Sequence, residues 1–322
     1  MRTALQCPNP AKTSTHACSH ADVRDNILIR LLAALTLLLP ISSLAMAGNK
    51  HDLLVTADWL KVHLQQPNLV IVDTRDRDSF DVLHIKNAVN VPVTETFADT
   101  RVGSRLAPIS TIQSLLGNAG ISNRSHLVLY DDNNMLDAAR AFWVLEVYGH
   151  ASVSILNGGF KNWQASDLPM TSDSPSRKPT TYLPTVIPEK LSTKFSTRLA
   201  VDDHSKIILD ARNEKEYNGK ILRFRRAGHI PNAINFPSTL NLTIAANGSK
   251  QVKSIPELKK LYAKLDKRKK VITYCNKGKE SALTYLVLRQ LGYSVSAYDG
   301  SWFEWNSDLN LPVETGKGRS WN

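Results

Sequence analysis

The chain has 322 residues, 42% of them hydrophobic and 21% charged, with a formal net charge of +11. That balance is enough to pack a core and excludes a disordered chain. The basic excess suits attraction of small anions, while no aromatic-plus-basic binding motif is visible, so nucleic acid is not an expected partner.

The first element is an apolar segment, Ile27 to Ala47, with Arg24 and Arg30 near its start and Ala45-Met46-Ala47 before Gly48. The segment is broken by Pro40 and Ser42-Ser43, which leaves less uninterrupted apolar chain than the about 20 residues a membrane span needs. Residues 1–47 therefore predict a secretory signal peptide with an A-x-A cleavage pattern. Its n-region is long, consistent with an over-extended start at residues 1–22. The expectations that follow are a periplasmic or secreted protein and no stable membrane insertion after cleavage. Removing Arg2, Lys12, Arg24, Arg30, Asp22 and Asp25 takes away a net +2 and leaves +9. A mature segment of about 275 residues fits two domains of ordinary size.

Beyond the leader the chain repeats itself. Ile71-Val72-Asp73-Thr74-Arg75 recurs as Ile208-Leu209-Asp210-Ala211-Arg212, and the stretch from His84 to Pro92 recurs from His229 to Pro237. Leu127-Val128-Leu129-Tyr130-Asp131 recurs as Val271-Ile272-Thr273-Tyr274-Cys275, and Asn157-Gly158-Gly159-Phe160 as Asp299-Gly300-Ser301-Trp302. The matches keep their order, so two similar domains are predicted, residues 52–167 and 201–315. Residues 168–200 carry Pro169, Pro175, Pro179, Pro184 and Pro188 among many Ser and Thr, and read as an extended linker. Continuous apolar runs at Leu69 to Asp73 and Ile207 to Leu209 predict strands covered on both faces. Ser254-Ile255-Pro256-Glu257 is a capping-box start for a helix through Leu258, Leu261, Tyr262 and Leu265. Ala282 to Leu291 predicts a second helix, stopped by Gly292. Strands alternating with helices give an α/β fold with a mostly parallel sheet in each domain, and ligands gather at the carboxyl ends of such strands.

Cys275 lies at one of those ends. It closes the run Val271 to Tyr274, and Gly278 and Ser281 follow at C-x-x-G-x-x-S spacing before the helix. Backbone N–H groups and the positive end of the helix dipole converge there, an environment that favours thiolate. Lys277 and Lys279 act in the same direction. Removal of the leader takes Cys7 and Cys18 with it, which leaves Cys275 without a partner for an internal disulfide. A reactive cysteine is the reading these residues support. No metal-ligand spacing, phosphate loop or nucleotide fingerprint is present, so no metal or cofactor is expected.

The D-x-R strand, the loop Gly228-His229-Ile230-Pro231-Asn232-Ala233, the Cys275 loop and the ending Asp299-Gly300-Ser301-Trp302-Phe303-Glu304-Trp305 together resemble the two-domain rhodanese sulfurtransferases. The resemblance implies two tandem rhodanese-like domains, of which the second carries the active cysteine. Asp131 stands at the equivalent position in the first domain, which is thereby implied to be catalytically inactive and to close one wall of the cleft. The implied chemistry moves a sulfane sulfur from a small anionic donor to Cys275 as a persulfide, then to a thiol or cyanide acceptor. Residues Asn276, Lys277, Gly278, Lys279, Glu280 and Ser281 would bind the donor. In thiosulfate-using members the loop resembles C-R-K-G-V-T and in mercaptopyruvate-using members C-G-S-G-V-T. Lys277 and Gly278 match the first, while Asn276, Lys279 and Glu280 depart from it.

Many family members also carry an arginine a few residues after D-x-R that holds the donor's anionic group. Glu216 stands there in this chain, and Arg223, Arg225 or Arg226 is the candidate replacement, with Arg226 assigned to substrate binding. Ser281 is either a hydrogen-bond donor to the sulfur or a helix cap. His84 and His229 recur in both domains and read as turn stabilisers, Asp73/Arg75 and Asp210/Arg212 as structural ion pairs. A monomeric thiosulfate sulfurtransferase is expected; a mercaptopyruvate-using enzyme and a persulfide carrier remain open. A phosphatase of the C-x5-R type is disfavoured because position 281 is serine.

Overall fold

The computed structural model describes residues 52–99, 104–175 and 177–320. The leader and its A-x-A pattern lie outside them. Among the described residues no helix is long and apolar enough to cross a membrane.

Short apolar runs become the strands of two sheets. In the first half, Leu54–Val55 (β1), Leu69–Asp73 (β2), Val89–Asn90 (β3), His126–Tyr130 (β4) and Val153–Leu156 (β5) lie in the order β1-β5-β4-β2-β3. In the second, Leu191–Ser192 (β6), Lys206–Asp210 (β7), Ile234–Asn235 (β8), Lys270–Tyr274 (β9), Val295–Tyr298 (β10) and Arg319–Ser320 (β11) lie in the order β6-β10-β9-β7-β8-β11. Every pairing in both sheets is parallel. All residues of β2 and β4 are buried, as a sheet covered on both faces requires. Four helices matter for the site: Leu136–Val147 (α1) after β4, Glu214–Tyr217 (α2) after β7, Glu280–Gln290 (α3) after β9, and Ser301–Ser307 (α4) after β10. The architecture is the expected α/β arrangement, two tandem units with a parallel sheet flanked by helices.

The sequence repeat is a repeat in space. Asp73 stands beside Tyr130 in the β2–β4 register, and Asp210 beside Tyr274 in β7–β9. Each aspartate forms a buried ion pair two residues on, Arg75 Nη2–Asp73 Oδ2 at 2.6 Å and Arg212 Nη2–Asp210 Oδ2 at 2.5 Å. The same guanidinium groups then donate to Leu83 O and Gly228 O, tying strand to loop. In the shared H-I-x-N-A loop the asparagines take the left-handed region, Asn87 at φ 68° and Asn232 at φ 62°, which their short polar side chains tolerate. His84 Nδ1 and His229 Nδ1 bond Phe80 O and Tyr217 O at 2.7 and 2.8 Å, and each ring stacks on that same neighbour. Both histidines are buried turn stabilisers.

The halves are fused through α1 and α3. Phe142 and Tyr285 meet across the junction, and the Glu146 carboxylate accepts from the Tyr285 hydroxyl and from Arg289. One apolar cluster runs from Val70 to Ala297 through both sheets. The Pro-rich stretch is strapped to the first half by Thr180 N–Gly117 O and Thr185 N–Tyr148 O bonds before Leu191–Ser192 enters the second sheet as its edge strand. Boundaries shift slightly from expectation: the capping-box helix spans Ile255–Leu261, its box closed by Ser254 N donating to Glu257 Oε2 at 2.9 Å. Helix α3 begins at Glu280 rather than at Ala282, which places Glu280 and Ser281 inside its first turn.

Candidate active site

Strand β9 delivers Cys275 to the sheet's carboxyl edge, and residues 276–279 turn the chain into α3. Gly278 makes the turn at φ +99°, a conformation L side chains avoid. Its amide points inward and donates to Cys275 Sγ at 3.0 Å. The cysteine's own backbone is held by the neighbouring turn. Cys275 N donates to Ser301 Oγ at 3.4 Å, Trp302 N donates to Cys275 O at 2.9 Å, and Phe303 N donates to Asn276 O at 3.1 Å. Ser301 adopts φ 50°, the region its first-half counterpart Gly159 occupies at φ 57°. A serine accepts that backbone cost where its hydroxyl supports the cysteine.

The expectation of a resting thiolate is corrected. Sγ is fully buried, and burial pushes the thiol up to about 12, with the Glu280 carboxylate adding to the rise. The Ser281 hydroxyl and amide pull the other way and do not win. Desolvation of a charged sulfur outweighs the loop's amides and the helix dipole, because only part of water's stabilisation is replaced. The Ser281 hydroxyl has no bond of ordinary geometry to another group among the described residues. Lys279 is the N-cap residue and no side chain caps the helix, so Ser281 is not its cap.

Above the sulfur lies a cleft of about 820 Å³, walled by both halves: Thr94, Phe97, Asn133 and Leu136 on one side, Glu216, Arg223, Phe224, Ser238 and Lys250 on the other. Asn276, Lys277, Lys279 and Glu280 of the cysteine loop line it, while the buried Cys275, Gly278 and Ser281 do not. Five cationic side chains (Arg212, Arg223, Lys250, Lys277, Lys279) and two carboxylates (Glu216, Glu280) line it; once the pairs Arg212–Asp210, Arg223–Glu216 and Lys279–Asp137 are set aside, the balance that faces an anion is slightly positive. Lys277 Nζ rests over Phe303 at 5.2 Å and Phe224 at 5.9 Å. Lys279 is paired with Asp137 of the first half at 2.5 Å, so its charge is largely spent on the junction. Asn276 Nδ2 donates to Glu216 Oε1 at 3.1 Å, and Arg223 Nε donates to that same oxygen.

Arg226 is not a substrate ligand, contrary to the assignment made from the sequence. Its guanidinium donates to four backbone oxygens, those of Asn306, Leu311, Trp305 and Asp308, and so caps the end of α4. Arg223 is the one of the three candidates that reaches the cleft, and there it neutralises Glu216. Trp302 and Trp305 are buried in the second core, Trp302 with Arg212 at 4.6 Å over its ring.

The first half has the same turn and uses it differently. The Asp131 carboxylate accepts from Met135 N at 3.0 Å, Asp137 N at 2.7 Å and Ala138 N at 2.8 Å. The amides that would cradle a ligand hold the chain's own anion. Three residues of the site escaped sequence reasoning. Ser301 carried a signal, a serine where the repeat has Gly159. Asp299 stood in the repeated ending without an assigned role, and Arg140 carried no signal: it sits in α1 among Ala138, Ala139, Ala141 and Phe142, a stretch that reads as core.

The rhodanese-like domain family model matches twice, over residues 56–166 and 193–308. The chain belongs to the rhodanese-like domain family. The putative thiosulfate sulfurtransferase of Mycobacterium leprae is 35% identical, covering 83% of this chain and 99% of that relative. A protein of Mycobacterium tuberculosis strain H37Rv with the same description is 36% identical, covering 82% and 98%. Among solved structures, SseA from Escherichia coli, described as a 3-mercaptopyruvate sulfotransferase, is 28% identical with a TM-score of 0.69, covering 78% of this chain and 99% of that one. The wild-type structure of EanB shares the fold at a TM-score of 0.73 and 20% identity, covering 83% and 70%. The two-domain rhodanese resemblance read from the motifs is thus the family that both matched segments support, and in this rhodanese the Cys275 loop and the Asp131 loop occupy equivalent places.

Proposed function

We propose that this rhodanese is a sulfurtransferase that moves a sulfane sulfur from thiosulfate, through a Cys275 persulfide, to a thiol or cyanide. The observation that carries the reading is Cys275 Sγ accepting the Gly278 amide beneath a cleft whose lining is cationic in balance. The thiol proton passes to the Glu280 carboxylate beside it as Sγ attacks the outer sulfur of thiosulfate. The S–S bond of the donor breaks and sulfite leaves with the electron pair. An acceptor thiolate, or cyanide, then attacks the terminal sulfur of the persulfide, and Cys275 departs as thiolate and is reprotonated. Amides of the loop stabilise the anionic sulfur in both half-reactions. The names of the mycobacterial relatives support thiosulfate as donor, and that of SseA keeps mercaptopyruvate as the second donor to test.

The test is thiocyanate formation from thiosulfate and cyanide, beside the same assay with mercaptopyruvate. Activity with thiosulfate that vanishes in Cys275→Ser is expected; turnover that survives this substitution refutes the mechanism. The full burial of Sγ favours a second reading, a persulfide carrier loaded by a partner protein, which a one-sulfur mass gain at Cys275 without thiosulfate turnover would identify. Export belongs to the proposal on the strength of Ala45-Met46-Ala47 and the apolar run before it. Cell fractionation with sequencing of the mature N-terminus tests it, and sedimentation tests the monomer.

A further inference from the structure

The catalytically silent half contributes a charge to the sulfur's surroundings. Arg140, on α1, is fully buried. It lies against the rings of Phe97 and Trp143, each 4.5 Å from its guanidinium carbon. Its Nη2 reaches Asp299 Oδ1 at 3.5 Å, while Nε and Nη1 have no hydrogen-bond partner among the described residues. A buried guanidinium with two unpaired donors is costly unless something anionic is present at a stage of the protein's work. The Nη1 atom faces the active loop: a Cβ built on Gly278 would stand 2.6 Å from it. The amide of that same glycine is 3.0 Å from Sγ. Standard backbone geometry then keeps Nη1 within about 8 Å of the sulfur. The region between them is buried, so ions in solution screen little of the interaction.

We propose that Arg140 is a positioning residue for the reaction, the fixed counter-charge that the first half holds across the Gly278 turn to stabilise the Cys275 thiolate and its persulfide. The inference rests on the sulfurtransferase reading and adds to it a role for the half that has lost its own cysteine. Charges acting on the sulfur or the guanidinium are Glu280 on α3 and Asp299 before α4, while Lys277 and Lys279 in the loop direct their ammonium groups to Phe224/Phe303 and to Asp137. Lys279 is tied to Asp137, and the Tyr148 hydroxyl lies near Arg140. Glu280 opposes the thiolate, and Arg140 is the buried cation that answers it from across the Gly278 turn. An arginine stays protonated even at such depth, which a lysine does not guarantee. The same geometry accounts for Gly278: any side chain there would intrude between loop and guanidinium.

The experiment measures alkylation of Cys275 by iodoacetamide, a neutral reagent, followed by mass at the Cys275 peptide of the full chain between about pH 7 and pH 9, where the rate tracks the thiolate fraction. Arg140→Gln is expected to slow alkylation about tenfold at each pH, with an unchanged slope against pH, and Arg140→Lys to recover only part of the rate, because a lysine at that depth keeps its charge incompletely. Loosened packing alone exposes the sulfur and speeds the reaction, so a purely structural role predicts the opposite sign. Should Arg140→Gln fail to fold, the paired substitution Arg140→Gln with Asp299→Asn removes the ion pair as a unit and is expected to slow alkylation likewise. An unchanged or faster rate in whichever of these folds overturns the proposal. Because alkylation needs no sulfur donor, this outcome is separate from a failure of the thiosulfate assay.

Discussion

Glu280→Gln probes the balance on which the chemistry depends. The carboxylate lies within hydrogen-bonding reach of a thiol that burial has pushed up to about 12. Two unit charges roughly 4 Å apart interact by about 4 kcal/mol at an effective dielectric constant near 20. At 1.36 kcal/mol per unit this corresponds to roughly three pH units as an upper bound, of which Glu280→Gln is expected to remove about two, the rise due to burial remaining. The sign is fixed: removing an anion stabilises thiolate, so the thiol's pKa falls. In the native chain, alkylation of Cys275 should rise tenfold per pH unit with no plateau through about pH 10; in Glu280→Gln it should be on the order of a hundredfold faster at neutral pH and level off near pH 10. Linkage gives the matching stability signature. The folded thiol titrates near 12 against a reference value of 9.0, so its contribution to stability is present below pH 9 and is lost as pH rises toward 12. A rate in Glu280→Gln equal to or slower than native refutes the reasoning, since it would mean that the carboxylate does not face the sulfur.

The remaining predictions concern residues that hold the site. Arg226→Ala removes a guanidinium that donates to four backbone oxygens; a loss of about 3 kcal/mol in urea unfolding is expected, with the KM for thiosulfate unchanged where the protein is folded. A raised KM without loss of stability would return Arg226 to the substrate site. Ser301→Ala should cost about 1 kcal/mol and lower kcat, because Cys275 N loses its acceptor while the left-handed backbone remains. Ser301→Gly should keep the native melting temperature more closely and still lower kcat. Asp131→Ala orphans three amides in the first half, and a loss of about 3 kcal/mol without any change in Sγ reactivity is expected. Altered Cys275 alkylation in that variant would show that the first loop does more than hold its own anion.

Much of the architecture was readable because it rests on local pattern. Strands such as Leu69–Asp73 are apolar runs whose residues are all buried, and parallel sheets covered on both faces demand such runs. The repeat disclosed two similar units, since each D-x-R pair and H-I-x-N-A loop folds by contacts within a few residues or to the adjacent strand. Cys275, its turn glycine and the following helix were legible for the same reason. Sequence spacing did not choose among Arg223, Arg225 and Arg226, because three arginines close together on a loop look alike until the chain shows which one meets backbone oxygens and which one meets Glu216.

By itself, then, the order of residues determined the two α/β units, the nucleophile's place at a strand end, and the loss of that nucleophile from the first unit. Tertiary structure alone decided the ionisation state of the sulfur and the company it keeps. Burial depends on everything packed around Sγ, and the charges that act on it come from Glu280 in the helix that follows it and from Arg140 in the other half of the chain. Local sequence carries hydrogen-bond geometry over a turn or two; electric fields in a dry interior add across space, whatever the distance along the backbone.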